Sequence, residues 1–390
     1  MSTRAELVNH AEQIGPLAER LARAQTLAVD LESNGLFAFT ARLCTLQILE
    51  LDTENPVVVV DPLELPDSAL APLGPVLGAS GPRKLVHDVS FDARILAQHG
   101  LALRNVFDTA LAARFLGAPG TGLATLAEAR LGLKLSKKMQ HHDWGRRPFP
   151  PEALEYLASD VAVLPPIAAQ LQVEIAAKDL GAELEEETNY RLAGAWSDAA
   201  TPDPRPPYVR IRDADKLKPA ALAILRELAG VRDGEAKRLD VPPFKVFDNA
   251  VLIALANQPP KAKAELASMR GLQHGRARAL HDALWTALER GLAAKEIPHG
   301  EREAFFTAPP KPPRAELTAA RQREQRLMAW RKAEAARRGV DDQAVLPGHV
   351  LHRLAAHAPM TREALAQVAG LGAFRVARDG EAILKAIAGG

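Results

Sequence analysis

Apolar and polar positions follow two rhythms along this chain. Three short apolar runs stand close together near the start: Thr26–Leu31 (TLAVDL), Cys44–Leu49 (CTLQIL) and Pro56–Val60 (PVVVV). Their length and β-branched content predict strands. Lys84–His87 predicts a fourth strand and Asn105–Phe107 a short fifth. Elsewhere the rhythm lengthens to helical spacing. Phe91–Gln98 predicts a helix capped by Ser90. Two further helical stretches, TALAARFLG and TGLATLAEARLG, follow Asp108. Pro150-Pro151 opens a long helix toward Ala177, since proline suits a first turn. Adjacent strands, then strands alternating with helices, predict a mixed α/β sheet flanked by helices.

Two proline-rich stretches interrupt the pattern, AATPDPRPPYVR from Ala199 and TAPPKPPRAE at Thr307–Glu316. Proline at that density cannot continue a helix, so both predict linkers. The expected division is 1–198, a linker at 199–214, a helical domain at 215–298, a linker at 299–316 and a second helical domain at 317–390. The two helical segments repeat each other. Arg232–Leu288 laid over Arg331–Ile387, at a constant offset of 99, gives 18 identities in 57 positions without a gap. Two copies are too few for a solenoid and predict two separate all-α bundles.

Composition narrows the class. A chain of 390 residues exceeds one ordinary domain. No apolar run reaches the roughly 18 residues of a membrane span, and the polar, acid-bearing start is not expected to be a leader. A single cysteine, Cys44, excludes an internal disulfide and a Cys-rich zinc site. A reducing, cytoplasmic setting fits. The net charge of +1 conceals an asymmetry: residues 1–200 hold 17 Lys and Arg against 26 Asp and Glu, and the remainder 32 against 22. The basic half suits a polyanion; two domains with different surfaces is the plainer explanation.

The acidic half carries the candidate chemistry. Asp30 and Glu32 end an apolar strand, and positions i and i+2 face one side. Two same-side carboxylates there are costly unless protonated, solvated or bound to cations. Asp92 begins a helix, where the dipole alone favours an acid. Tyr156 and Asp160 lie four apart on one helical face. Each feature has a structural explanation by itself. Together they describe an acid set suited to two divalent cations acting on a phosphodiester, with a tyrosine to orient or deprotonate the attacking water.

Asp30-x-Glu32, Asp92 in VHDVSFDARIL and Tyr156-x-x-x-Asp160 resemble the three motifs of the DEDDy exonucleases. More specifically, the chain resembles the ribonuclease D family. Phe107–Gly117, Leu123–Gly132 and Asp143–Phe149 stand in the family's order between the second and third motifs, and the tandem repeats resemble HRDC domains. The resemblance implies an α/β ribonuclease H-like domain with a mixed five-stranded sheet, followed by two small all-α HRDC-like domains. It implies a 3′–5′ exoribonuclease in which Asp30, Glu32, Asp92 and Asp160 hold two metal ions, Mg²⁺ or Mn²⁺, with Asp30 shared and Tyr156 positioning the water. The substrate implied is structured RNA with a single-stranded 3′ tail, such as a tRNA precursor, held by the helical repeats of a monomer. Leu31 stands where the family often has Thr; it points to the other strand face, so no loss of activity is expected.

The remaining candidates keep alternatives open. Lys137 and Lys138 suit phosphate contacts, and Trp144 and Arg147 suit either substrate contact or a structural anchor. Phe37 and Phe39 suit base stacking or simple packing. His141-His142 is not expected to bind zinc, since adjacent residues rarely converge on one ion. Gly271-Leu272 with Arg276, repeated at Gly370-Leu371 with Arg375, suits a phosphate site or a helix–helix turn. The basic stretch Arg321–Arg338 suits an RNA backbone or a solvated helix face. A DNA exonuclease and a non-catalytic scaffold are the rival functions.

Overall fold

The computed structural model describes residues 4–200, 203–306 and 312–389. Part of each proline-rich linker, 201–202 and 307–311, lies outside them. The described chain forms two compact units. One contains residues 4–33, 43–200 and 312–389; the other contains 34–42 and 203–306.

The first unit is built on a mixed sheet of six strands: β1 (Ala5–Val8), β2 (Thr26–Ser33), β3 (Leu43–Glu50), β4 (Val57–Val60), β5 (Arg83–Val86) and β6 (Val106–Asp108). Their order across the sheet is β1-β4-β3-β2-β5-β6. β2 and β4 run antiparallel to β3, and the remaining pairs are parallel. The sheet has one strand more than the five expected. β1 is an edge strand of sequence AELV, and its evidence is the distant pairing Ala5↔Val57 to Val8↔Val60. A four-residue run with one residue buried carries too little local pattern to announce that pairing.

Two helix expectations are also corrected. The helix after β5 spans Val89–Gln98, with Asp88 and not Ser90 at its cap. The long helix after Pro150 is two, Pro151–Ala162 and Leu164–Ala177, parting at Val163. Pro165 and Pro166 have no amide hydrogen to donate to the preceding turn. β4 is buried along its whole length, as a strand covered on both faces must be. Leu157, Val161, Ile167 and Leu171 of the two helices share a core with Val57, Val59 and Leu85.

The 312–389 segment folds as helices Arg314–Arg338, Gly348–His357 and Ala373–Ala388 around Leu327, Val350, Leu354 and Ile383. It is joined to the sheet domain by buried contacts. Ala344 belongs to the core of the sheet domain, and the Asp341 amide donates to the Phe115 carbonyl at 3.0 Å. Glu183, fully buried on helix Gly181–Ala200, is paired with both Arg338 and Arg378. Arg375 is fully buried. It bonds Glu186 at 3.1 Å and the carbonyls of Glu183, Ala344 and Val345. The second copy of the Gly-Leu-x-x-x-Arg motif is therefore spent inside the protein, with Gly370 at a positive φ of 87° in the turn, which is the turn reading of the two.

In the second unit, helices Pro219–Arg238, Asn249–Asn257 and His281–Ala294 enclose Leu225, Leu228, Leu252, Leu255, Leu284 and Leu288. Gly291 permits the close approach of two helices: a Cβ there would stand 2.6 Å from the Ile224 Cα. The loop 34–42 packs into this unit. Phe39 lies against its core and donates its amide to Asp240 at 3.2 Å. Arg42 pairs with the same Asp240.

Candidate active site

Five candidate side chains meet in the first unit, positioned by three elements. β2 supplies Asp30 and Glu32, which stand opposite Gln47 and Thr45 on β3. A register irregularity falls between Glu32 and Ser33, where the strand ends. Helix Val89–Gln98 supplies Asp92 in its first turn. Helix Pro151–Ala162 supplies Tyr156 and Asp160 on one face.

The acids act on one another. Burial, then the charge of Asp160, pushes Asp30 up to about 7. Burial, then Asp30 and Asp160, pushes Glu32 up to about 9. Asp92 is raised well above the usual carboxylate range by burial, then by Asp30 and Glu32. Burial raises Asp160 to about 6, opposed by its hydrogen bond with Tyr156. The Tyr156 hydroxyl is raised by burial and by Asp160, so it stays protonated and acts as a donor. Such mutual repulsion in a partly buried site is relieved by protons or by cations.

The donor chemistry fits hard divalent ions. Every candidate ligand is a carboxylate oxygen, and Mg²⁺ or Mn²⁺ takes oxygen ligands while keeping several waters, so few side chains are needed. Among the described residues no three His, Cys, Asp or Glu side chains are gathered tightly enough to form a metal cage by themselves.

One residue that sequence reading passed over fixes this geometry. Asp108 ends β6, is fully buried, and accepts four backbone amides. Its oxygens take Asp88 at 3.1 Å, Val89 at 3.0 Å, Ala110 at 2.9 Å and Leu111 at 3.1 Å. One carboxylate thus caps two helices, including the one that carries Asp92. It also holds Asp88, whose φ of 60° lies in the left-handed region that non-glycine residues enter at a cost. The signal was present as an acid between a short strand and the helical run TALAARF.

The other candidates divide. Lys137 and Lys138 are exposed and make no ion pair among the described residues. Trp144 is buried, its ring 5.8 Å from that of Tyr156 and edge-on to His142 at 4.9 Å. Arg147 pairs with buried Asp61 and donates to the carbonyls of Cys44 at 2.8 Å and Trp144 at 2.7 Å. Trp144 and Arg147 are thus held by contacts within the protein, Trp144 beside Tyr156 and Arg147 on Asp61 and two carbonyls. Phe37 belongs to the second unit, its ring 3.9 Å from the Lys245 ammonium.

Comparison with known proteins places the chain in a family. Residues 5–176 match the 3′–5′ exonuclease family, and 221–288 and 320–387 each match the HRDC domain. Ribonuclease D of Shewanella sp. is 30% identical over 308 residues, covering 78% of this chain and 74% of that protein. Ribonuclease D of Zymomonas mobilis is 30% identical over 269 residues, 68% and 67% of the two chains. The Escherichia coli RNase D structure superposes over 99% of both chains with a TM-score of 0.69 at 21% identity. A Bifidobacterium adolescentis protein gives 0.77 at 20% identity over 99% of this chain and all of its own. At that identity the last two speak for the fold. The exonuclease family is metal-dependent. With its acids, its HRDC pair and its relatives, this chain belongs to the ribonuclease D family and is a 3′–5′ exoribonuclease.

Proposed function

We propose that the protein trims structured RNA from a single-stranded 3′ end, tRNA precursors among its substrates, and releases nucleoside 5′-monophosphates. The observation that carries this is the set Asp30, Glu32, Asp92 and Asp160, the first two half-buried and the last two buried, each raised by burial and most by a neighbouring acid too, beside a protonated Tyr156. These four carboxylates are assigned as ligands of two divalent cations, Mg²⁺ or Mn²⁺, with Asp30 shared. Bound there, the cations supply charge to activate water and to stabilise the leaving oxygen. Tyr156 gives its one hydroxyl hydrogen to Asp160, so it orients the nucleophilic water by accepting from it and leaves proton removal to another group. Asp108 holds Asp92 in place through the helix start.

Exonuclease function is assigned to 1–198 and helical domains to 215–298 and 317–390, with 199–214 and 299–316 as linkers. The E. coli relative is described as an exoribonuclease involved in structured RNA processing, which supports the substrate class. Such substrates place the protein in the cytoplasm, where it acts as a monomer. Lys137 and Lys138, exposed ahead of the Tyr156 helix, are assigned to the RNA backbone.

The test is a 5′-labelled ladder assay on matched RNA and DNA with Mg²⁺, Mn²⁺ or chelator. A metal-dependent ladder shortening from the RNA 3′ end, absent for Asp160→Asn, is expected. Equal ladders from that variant would remove the site assignment, and ladders on DNA alone would change the substrate.

A further inference from the structure

The two helical repeats differ at one buried cation. In the second copy, Arg331 is 8% exposed and donates Nη1 to the Leu346 carbonyl at 3.2 Å. Its charge is met by Asp342, 2.8 Å from Nη2. In the first copy, Arg232 stands at the equivalent position, is 5% exposed, and donates Nη1 to the Phe247 carbonyl, also at 3.2 Å. The residue 99 positions before Asp342 is Pro243. The counter-ion is missing. Arg232 has in addition the neutral Asn249 Oδ1 at 2.7 Å and the Phe247 ring, 5.8 Å from its guanidinium carbon. Its Nε has no hydrogen-bond partner, as is also true of Arg331. No carboxylate among the described residues pairs with Arg232; the acids that influence it, Asp233 and Asp248, act from farther away. A buried guanidinium without an anion is costly.

Arg232 lines a cavity of about 500 Å³ within the second unit. Arg210, Asp233, Phe39 and Phe244 line it too, so one carboxylate shares the wall with the two cations. Arg210 leans on Asp233 at 3.5 Å, a long contact that leaves it 43% exposed. Phe244 is 51% exposed. Charge and rings thus occur together, as binding of a nucleotide unit requires.

We infer that this cavity binds a phosphate carried on a nucleoside, with Arg232 replacing its missing counter-ion, Arg210 as second cation and Phe244 or Phe39 meeting the base. The phosphate belongs either to an RNA strand or to a free mononucleotide. The strand source rests on the exoribonuclease reading; the anion site does not.

The experiment uses full-length protein in chelator, so that nothing is cleaved. Binding of a labelled single-stranded RNA 12-mer and of AMP is measured between low and moderate salt for wild type, Arg232→Gln, Arg210→Gln and Pro243→Asp. The last restores the second copy's internal partner and fills the site without emptying the core. Arg210→Gln changes a partly exposed residue and guards against misfolding. Each variant is expected to weaken binding about three- to tenfold. The salt slope of RNA binding is expected to become shallower by about 0.7, one phosphate on a single strand. Loss confined to AMP would assign the site to a mononucleotide; loss confined to RNA, to the strand. Unchanged affinity and slope for both ligands, with Pro243→Asp melting at or above the wild-type temperature, would overturn the inference. Ladder activity of the wild type is scored separately, so failure of the nuclease reading and failure of this site remain distinguishable.

Discussion

Replacing Glu32 by Gln should stabilise the metal-free protein while abolishing cleavage. Burial, then Asp30 and Asp160, lifts Glu32 from 4.5 to about 9. At pH 7 the unfolded chain carries this carboxyl ionised and the folded chain carries it protonated, so folding takes up a proton. At about 1.4 kcal/mol per pH unit, that uptake costs about 3 kcal/mol. Asp30 and Asp160 share the same repulsion, and Glu32 is only partly buried, so roughly 1–2 kcal/mol is the expected gain for Gln. The sign follows from linkage. A carboxyl raised in the folded state contributes fully below pH 4.5 and loses its contribution as pH rises toward 9. In chelator, wild type should therefore melt at progressively lower temperature between pH 5 and 9, and Glu32→Gln should flatten that decline. Adding Mn²⁺ should raise the wild-type melting temperature by mass action and the variant's by less. Melting curves across that pH range, with and without Mn²⁺, check both statements. A variant less stable than wild type at pH 8 in chelator would refute the reasoning, because it would show that Glu32 is stabilised as a charge by something other than a cation.

Three further substitutions probe the support of the site. Asp108→Asn keeps the shape but turns an amide toward backbone donors that need an acceptor; a loss of about 1–3 kcal/mol, together with a higher Mn²⁺ midpoint in thermal titration, is expected. Tyr156→Phe should lower kcat about a hundredfold with KM and melting temperature little changed, as single-turnover and steady-state assays would show. Glu183→Gln leaves Arg338 and Arg378 without their shared carboxylate in a buried site, so a loss of about 3–5 kcal/mol in denaturant unfolding is expected. Removing 312–389 should therefore lower the stability of the sheet domain itself, and equal melting of the shortened protein would show that these contacts contribute little.

What the chain's pattern made legible was whatever is local. Five of the six strands follow from short β-branched runs, and the family's acids stand where strand and helix periodicity put them on common faces. β1 was missed because its evidence is a partner fifty-two residues away, Val57 for Ala5. Asp108 was missed because its role is to accept amides from two different helices, one of them starting before it in the chain. The repeats show the limit most directly. Among their 18 identities are core positions of each bundle, such as Leu252 with Leu351 and Leu255 with Leu354, and identity at Arg276 and Arg375 suggested one shared purpose. The differences decide their contacts instead. Arg338 and Arg378, which reach Glu183, replace Leu239 and Ala279 of the first copy. Asp342, which neutralises Arg331, is replaced by Pro243 beside Arg232. A duplicated core persists because every apolar position in it is needed by its neighbours. The polar positions answer to whatever surface each copy meets, so divergence between copies locates function better than agreement does. By that argument the second copy has become part of the nuclease's framework, and the first has kept an unmet positive charge for a ligand.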